Sequence, residues 1–246
     1  MAEEPESDGA AAPLNPDLEL LGAQAPATAT EKSDADRVAL AARELKMGFS
    51  ALADLGPAIS IFGSARVPED APLYAQAREV ARTLGEAGFA IITGGGPGLM
   101  EAANRGARDA GALSVGLNID LPYEQALNPY VDLPLNFHYF FTRKMMFVRY
   151  ACGFVVMPGG FGTVDEAFEA FTLIQTGKVE DFPVVLFGEA FWGGLRSWAR
   201  ENLLAGGMIA ENDLRAMLIT DEVADVAREC LDGALLQGFV LERKTR

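Results

Sequence analysis

The sequence predicts an α/β fold, with a parallel sheet covered by helices on both faces in a single domain. Three observations carry that expectation. Short, continuous apolar runs alternate with amphipathic stretches of helical length, the pattern of strands buried on both sides. Nearly every apolar run ends in glycine, which gathers accessible backbone along one edge of the sheet. Half of the 246 residues are hydrophobic and 26 are glycine, which suits one sizeable core with generous loops and leaves no room for a second full domain.

Residues 1–34 are rich in Ala, Pro and acid and hold no aromatic residue. They cannot bury enough apolar area to offset their ordering entropy, so this acidic tail is expected to be disordered. The domain then runs over 35–246. Residues 35–55 have helical spacing, with Val38, Leu45, Phe49 and Leu52 as the expected buried face of a lead-in helix. After Pro57 come the strands AISIFG (58–63), FAIITG (89–94), LSVGLN (113–118), GFVVMPG (153–159) and FPVVLFG (182–188). Helices are expected between and after them, at 71–87, 98–110, 139–151, 163–176 and 191–204, and MLIT (217–220) leads into a last one at 221–236. The strand-end glycines are Gly63, Gly94, Gly116, Gly159 and Gly188. Parallel sheets bind ligands beyond the carboxyl ends of their strands, so the site belongs on that edge.

Bulk properties exclude several classes. A net charge of −15 argues against nucleic acid, whose phosphates require basic surface. A small anionic ligand is still compatible, because a few local donors outweigh the global field. No apolar run approaches the roughly 18–20 residues that cross a bilayer, and no basic-then-apolar secretion signal opens the chain. Cys152 and Cys230 form no CxxC pair, which fits a reducing cytoplasm without disulfide or zinc.

Two glycine loops stand out. Thr93-Gly94-Gly95-Gly96-Pro97-Gly98 follows a strand and opens a helix, so its amides and the helix N-terminus suit a phosphate. It lacks the P-loop lysine, and a plain strand-to-helix turn is the competing reading. Gly63-Ser64-Ala65-Arg66 resembles a smaller edge of the same site, with Ser64 and Arg66 either ligands or plain surface. Met157-Pro158-Gly159-Gly160-Phe161-Gly162-Thr163 repeats the arrangement later. Here Thr163 reads as an N-cap, and Thr163-x-x-Glu166 has capping-box spacing. Three glycines in four residues exceed what a cap requires, and a carboxylate beside an anion loop is repulsive by about 1 kcal/mol or more. Glu166 is therefore the candidate for chemistry, and Asp165 is expected to face the helix dipole. In HYFFTRKMMFVRY (138–150), Arg143 and Lys144 stand on an otherwise apolar helix. They either snorkel to water or contact an oxyanion, which arginine can clasp with two parallel hydrogen bonds. His138 is the single histidine, so neither a histidine triad nor a histidine metal cluster is available.

GGGPGLMEAA (94–103), FFTRKMMF (140–147) and PGGFGTVDE (158–166) together resemble the LONELY GUY (LOG) family of cytokinin riboside 5′-monophosphate phosphoribohydrolases, many of which carry a lysine decarboxylase label. The likeness spans residues 55–235, and GLNIDLPYEQALNPYVDLPLNF (116–137) resembles the longer bacterial branch. The resemblance implies a Rossmann-like fold, a homodimer or larger homo-oligomer, and no metal or organic cofactor. It implies hydrolysis of the N-glycosidic bond of an N6-modified AMP, with Arg143 and Glu166 as catalytic residues. Glu124 is the match for a substrate-contacting acid ahead of the Arg-Lys pair. Asp165 stands in place of the first glutamate of the family's TxEE, and Glu101 stands where many members have glycine. On this reading both glycine loops hold the 5′-phosphate, Glu166 serves the sugar, and Arg143 fixes the nucleotide and Glu166. A non-catalytic nucleotide sensor or carrier is the rival, and a PLP-dependent lysine decarboxylase a weaker one, since the chain has five lysines and only Lys144 lies near the site.

Overall fold

The computed structural model describes residues 16–22, 32–120 and 127–241. Its strands are β1 (Ala58–Phe62), β2 (Ala90–Thr93), β3 (Ser114–Ile119), β4 (Leu133–Phe137), β5 (Phe154–Val156), β6 (Val184–Phe187) and β7 (Leu218–Thr220). Among the described residues these seven form one all-parallel, Rossmann-like sheet in the order β4-β3-β2-β1-β5-β6-β7. The chain builds outward from β1 to β4, then returns to the other side of β1 with β5. The loops after β1 and β5 therefore leave neighbouring strand ends in opposite directions, and a crevice opens between them.

The helices are α1 (Pro16–Leu21), α2 (Asp34–Ala51), α3 (Pro72–Glu86), α4 (Leu99–Asp109), α5 (Phe140–Tyr150), α6 (Phe161–Gln175), α7 (Glu189–Trp198), α8 (Glu211–Arg215) and α9 (Val223–Leu236). The sheet is buried on both faces by two apolar layers. Phe62, Ile92, Leu117, Phe147, Phe154 and Trp192 belong to one, and Ile59, Ile61, Val80, Leu84, Phe89 and Val155 to the other. Alternate residues of β1 thus feed opposite layers, which is why AISIF is apolar at every position but Ser60. No helix among the described residues is long and apolar enough to cross a membrane.

Five features differ from the sequence expectation. First, α1 lies inside the stretch expected to be disordered, and Phe140 N–H donates to its Asp17 at 3.3 Å. Residues 1–15 and 23–31 of that stretch lie outside the described residues. Second, the buried face of α2 is rotated. Leu52 is fully buried and Leu45 partly so, but Val38 is 68% exposed and Phe49 is also exposed. The inward positions are Glu44, Gly48 and Leu52, spaced by four residues. Glycine at 48 permits close approach to α5, since a Cβ there would lie 2.5 Å from Met146 Sδ. A carboxylate and a glycine on the inner face hid it from a search for apolar periodicity.

Third, β4 falls in a segment read without a strand. It is an edge strand with alternating burial, and Pro134 is tolerated because only one side needs a ladder. Fourth, Gly116 does not end a strand but sits within β3, where an added Cβ would meet Val131 at 2.9 Å and Gly95 Cα at 3.2 Å. Fifth, the helix expected at 191–204 ends its α-helical part at Trp198 and continues as a π-helical turn, Ala199–Leu204.

Candidate active site

A cavity of about 590 Å³ occupies the crevice between the ends of β1 and β5. The β1 loop (Gly63 to Arg66), Gly94, helix α5 and the first turns of α6 line it. A larger groove of about 650 Å³ lies along α5 and α6 between Phe141, Met145 and Leu173. It touches neither glycine loop and holds neither Arg143 nor Glu166, so the smaller cavity is the candidate site.

The second loop supplies one end of the cavity, where a helix begins. Helix α6 starts at Phe161, with Gly160 as its N-cap and no capping side chain. Thr163 is thus the third helical residue rather than the cap, and the capping-box reading of Glu166 falls away. The N–H groups of Phe161 and Gly162 have no acceptor among the described residues, as expected for the first helical turn. A Cβ on Gly160 or Gly162 would meet nothing within 4 Å, so both face open space. Gly159 has a different reason to be glycine, because the Thr163 side chain lies against the position of its missing Cβ. Phe161 is 96% exposed at the mouth.

Glu166 lines the cavity from the second turn of α6 and is only 7% exposed. Its Oε2 is buried without a hydrogen-bond partner. Burial pushes its pKa up to about 7; Lys144 and Arg143 oppose the rise, and Glu169 and Asp165 add to it. Near neutrality the group exchanges a proton readily, which is what acid–base work requires.

Arg143 faces Glu166 across the cavity without an ion pair between them, contrary to the expectation that it fixes Glu166 directly. Its Nε donates to Leu117 O of β3 at 2.8 Å, and its guanidinium lies 5.1 Å from the Phe147 ring centroid. Gly94 lies directly beneath it, since a Cβ there would sit 2.5 Å from Nη2. No described residue accepts from Nη1 or Nη2, which leaves a forked donor for a ligand. Burial pulls its pKa down to about 10, while the Glu166 charge raises it, so it stays cationic at neutral pH.

The first loop has a different role from the one expected. Of its glycines, Gly94 lines the cavity and Gly95, Gly96 and Gly98 do not. Gly95 has φ 73° and its N–H donates to Thr93 Oγ1 at 2.9 Å. Gly98 has φ 68° and lies so close to the β1 loop that a Cβ would be 2.5 Å from Ser64 O. The first amide of α4, on Leu99, already donates to that same carbonyl at 2.9 Å. Asn128 Nδ2 holds the carbonyls of Gly95 and Gly96 at 3.0 Å each and reaches Asn104 Oδ1 at 2.9 Å. These glycines and the two asparagines, which sequence reasoning missed, set the loop's shape.

Lys144 does not line the cavity. It lies 2.9 Å from Asp165 Oδ2 and 3.0 Å from Glu169 Oε2 on α6. Asp165 lines the cavity but is engaged with Lys144 and lies beyond the first turn, so the helix-dipole explanation of it does not apply. Ser64 and Arg66 both line the cavity, and Ser64 Oγ accepts from Arg66 N–H at 3.1 Å. Glu101 accepts from Tyr74 OH at 3.0 Å and is not part of the lining. Glu124 lies outside the described residues.

Comparison with known proteins bears on the fold and the family. The family model described as "Possible lysine decarboxylase" matches residues 100–230, more than half of the chain. A cytokinin riboside 5′-monophosphate phosphoribohydrolase of Mycobacterium tuberculosis is 31% identical over 168 residues, covering 66% of this chain and 88% of that protein. The rice (Oryza sativa subsp. japonica) protein named for the same activity is 31% identical over 157 residues, covering 61% of each chain. The X-ray structure of the structural-genomics target TM1055 superposes with a TM-score of 0.55 at 26% identity, over 70% of this chain and 96% of that one. A molybdenum cofactor carrier protein of Chlamydomonas reinhardtii superposes at 0.50 with 22% identity, over 74% of this chain and 97% of that one, a likeness of fold alone. With the model, the Mycobacterium relative and the three motifs in agreement, the chain belongs to the LONELY GUY family.

Proposed function

We propose that this protein hydrolyses the N-glycosidic bond of an N6-modified adenosine 5′-monophosphate, releasing the free base and ribose 5-phosphate. The observation that carries the reading is Glu166, a buried carboxyl with an unpartnered oxygen on the same helix as an open glycine-bounded N-terminus. Glu166 is the sixth residue after Gly160, about 9 Å of helical rise, and side chains lean back towards the N-terminus. A phosphate at the start of α6 would therefore leave the sugar of the same nucleotide within reach of the carboxylate. The names of the Mycobacterium and rice relatives support the activity and the cytokinin-type base.

In the reaction the C1′–N9 bond breaks and its electron pair leaves with the base, building positive charge on C1′ and the ring oxygen. Glu166, ionised, stabilises that charge and takes a proton from the attacking water, whose oxygen bonds to C1′. Arg143 orients the nucleotide through its free N–H fork, and the departing base takes up a proton in place of the one Glu166 removes from water, so that one water is consumed overall. The phosphate rests on the amides of Phe161 and Gly162 and on the positive end of α6, with Ser64 and Arg66 at its flank.

A panel of monophosphates, nucleosides and triphosphates tests the reading, with AMP and isopentenyl-AMP among the monophosphates and release of free base as the signal. Base should be freed from monophosphates, with isopentenyl-AMP preferred over AMP. Turnover of nucleosides equal to that of monophosphates would remove the phosphate's role, and absence of base release from every compound would favour a carrier. A second test targets the loop. At φ −88° Gly160 tolerates a side chain, and Gly160→Val would project it into the cavity over the amides. Losing even one charge-assisted hydrogen bond should weaken monophosphate binding by about tenfold or more in calorimetry, with the melting temperature unchanged. Unaltered affinity would move the phosphate elsewhere.

The lysine decarboxylase description fits the residues poorly. PLP chemistry requires a lysine free to form a Schiff base. Although burial works against its charge, Lys144 is held cationic by the hydrogen bonds it donates to Asp165 and Glu169, and its pKa rises.

A further inference from the structure

Helix α5 carries Arg143, yet the groups that hold its start come from outside the helix. Its N-cap is Tyr139, which provides no capping side chain. Glu44 of α2, only 4% exposed, presents both carboxylate oxygens to this turn instead. Oε1 accepts from His138 N–H at 2.6 Å and lies 2.8 Å from His138 Nδ1. Oε2 accepts from Thr142 Oγ1 at 2.6 Å and from Tyr139 N–H at 3.4 Å. His138 Nε2 is 3.2 Å from Asp120, which holds the ring from its other side.

A buried carboxylate carries a large desolvation penalty unless it is fully hydrogen-bonded, and an apolar residue would pack α2 on α5 without that penalty. Glu44 therefore does something packing alone does not explain. It gathers three nearby points of the chain, His138, Tyr139 and Thr142, at the turn in which Arg143 N–H closes onto Tyr139 O at 3.3 Å. Arg143 is the fourth residue of α5, so the turn that Glu44 grips is the turn that aims the guanidinium over Gly94. Glu44 also lies well outside residues 100–230, where the family model matches.

We infer that Glu44 is a positioning residue for the reaction, fixing the first turn of α5 and through it the guanidinium of Arg143. The inference rests on the functional reading above, in which Arg143 contacts the substrate. Glu44→Gln keeps the volume but offers an NH2 where one oxygen now accepts. In that variant kcat should fall about tenfold with KM within about twofold, because a misplaced group near 1 Å off already costs that much or more. Amide hydrogen exchange at residues 139–143 should accelerate by about tenfold, reporting the loosened turn without reference to turnover. In an Arg143→Ala background, Glu44→Gln should cause no further loss of kcat, whereas a merely structural residue would give losses that multiply.

Normal kcat, unchanged exchange or multiplying losses in folded Glu44→Gln would each overturn the inference. Should Glu44→Gln not fold, Thr142→Val removes one donor and should show the same pattern at about threefold, and normal kcat and exchange there overturns it too. Full turnover in Arg143→Ala alone overturns both this inference and the functional reading. Lost turnover there beside unaffected Glu44→Gln overturns this inference alone.

Discussion

Glu166→Gln should lower kcat by about 10²-fold or more and at the same time raise thermal stability, by more at about pH 8 than at about pH 5. Both halves follow from one fact: the carboxyl is buried in a cavity wall with an unpartnered oxygen. Burial lifts its pKa from 4.5 to about 7, with Lys144 and Arg143 opposing and Glu169 and Asp165 assisting. Between those values the folded chain binds more protons than the unfolded chain, so stability falls as pH rises through the interval. The cost is absent below about 4.5 and complete above about 7, where it is on the order of 3 kcal/mol. A neutral glutamine escapes that cost but cannot take a proton from water. Wild-type turnover should accordingly rise with pH through about 7 as the carboxylate forms. Melting curves at the two pH values and steady-state rates on pure protein check the claim. Near-normal kcat would remove Glu166 from the chemistry, and an equal melting shift at both pH values would show that the carboxyl is not held in its protonated form.

The strands were legible where burial is two-sided. AISIF, AIIT, FVV and VVLF are buried throughout and apolar but for Ser60 and Thr93, because each face of β1, β2, β5 and β6 meets a layer of core. β4 was not, because an edge strand with a proline and alternating exposure resembles a loop. The orientation of α2 failed for the opposite reason: its inward residues, Glu44 and Gly48, are there for hydrogen bonding and close approach, which hydrophobic periodicity does not register. At the site, the glycine run before α6 pointed to an open helix start, and Glu166 was singled out because a carboxylate there conflicts with an anion. The same residue-type logic overstated the first loop. Gly95 and Gly98 are glycine because of positive φ and crowding by neighbouring backbone, facts set by contacts distant in sequence. Nothing local marks Asn128 as the side chain that holds that loop, for it is 32 residues from Gly96 along the chain.

Arg143→Ala should also lower kcat by about 10²-fold or more, and it should leave a signature in the pH profile that Glu166→Gln cannot. Among the described residues the guanidinium has one acceptor, Leu117 O at 2.8 Å, and a fixed seat between the Phe147 ring and Gly94. Burying a cation with so few partners is unfavourable, as its depressed pKa of about 10 records, and the charge of Glu166 offsets part of that cost. The offset is mutual, since Arg143 lowers the pKa of Glu166. Removing the cation should therefore push Glu166 above about 7, so that whatever turnover survives requires higher pH than wild type. Arg143→Lys separates charge from geometry. A lysine restores a positive charge near Glu166 and should return the profile towards wild type, yet it cannot reproduce the planar fork, so most of the kcat loss should persist. Full recovery of kcat in Arg143→Lys would mean that the site needs only a charge at this position. An unshifted profile in Arg143→Ala would mean that the two groups do not sense each other, and the cavity would then have to be read as two independent sites rather than one.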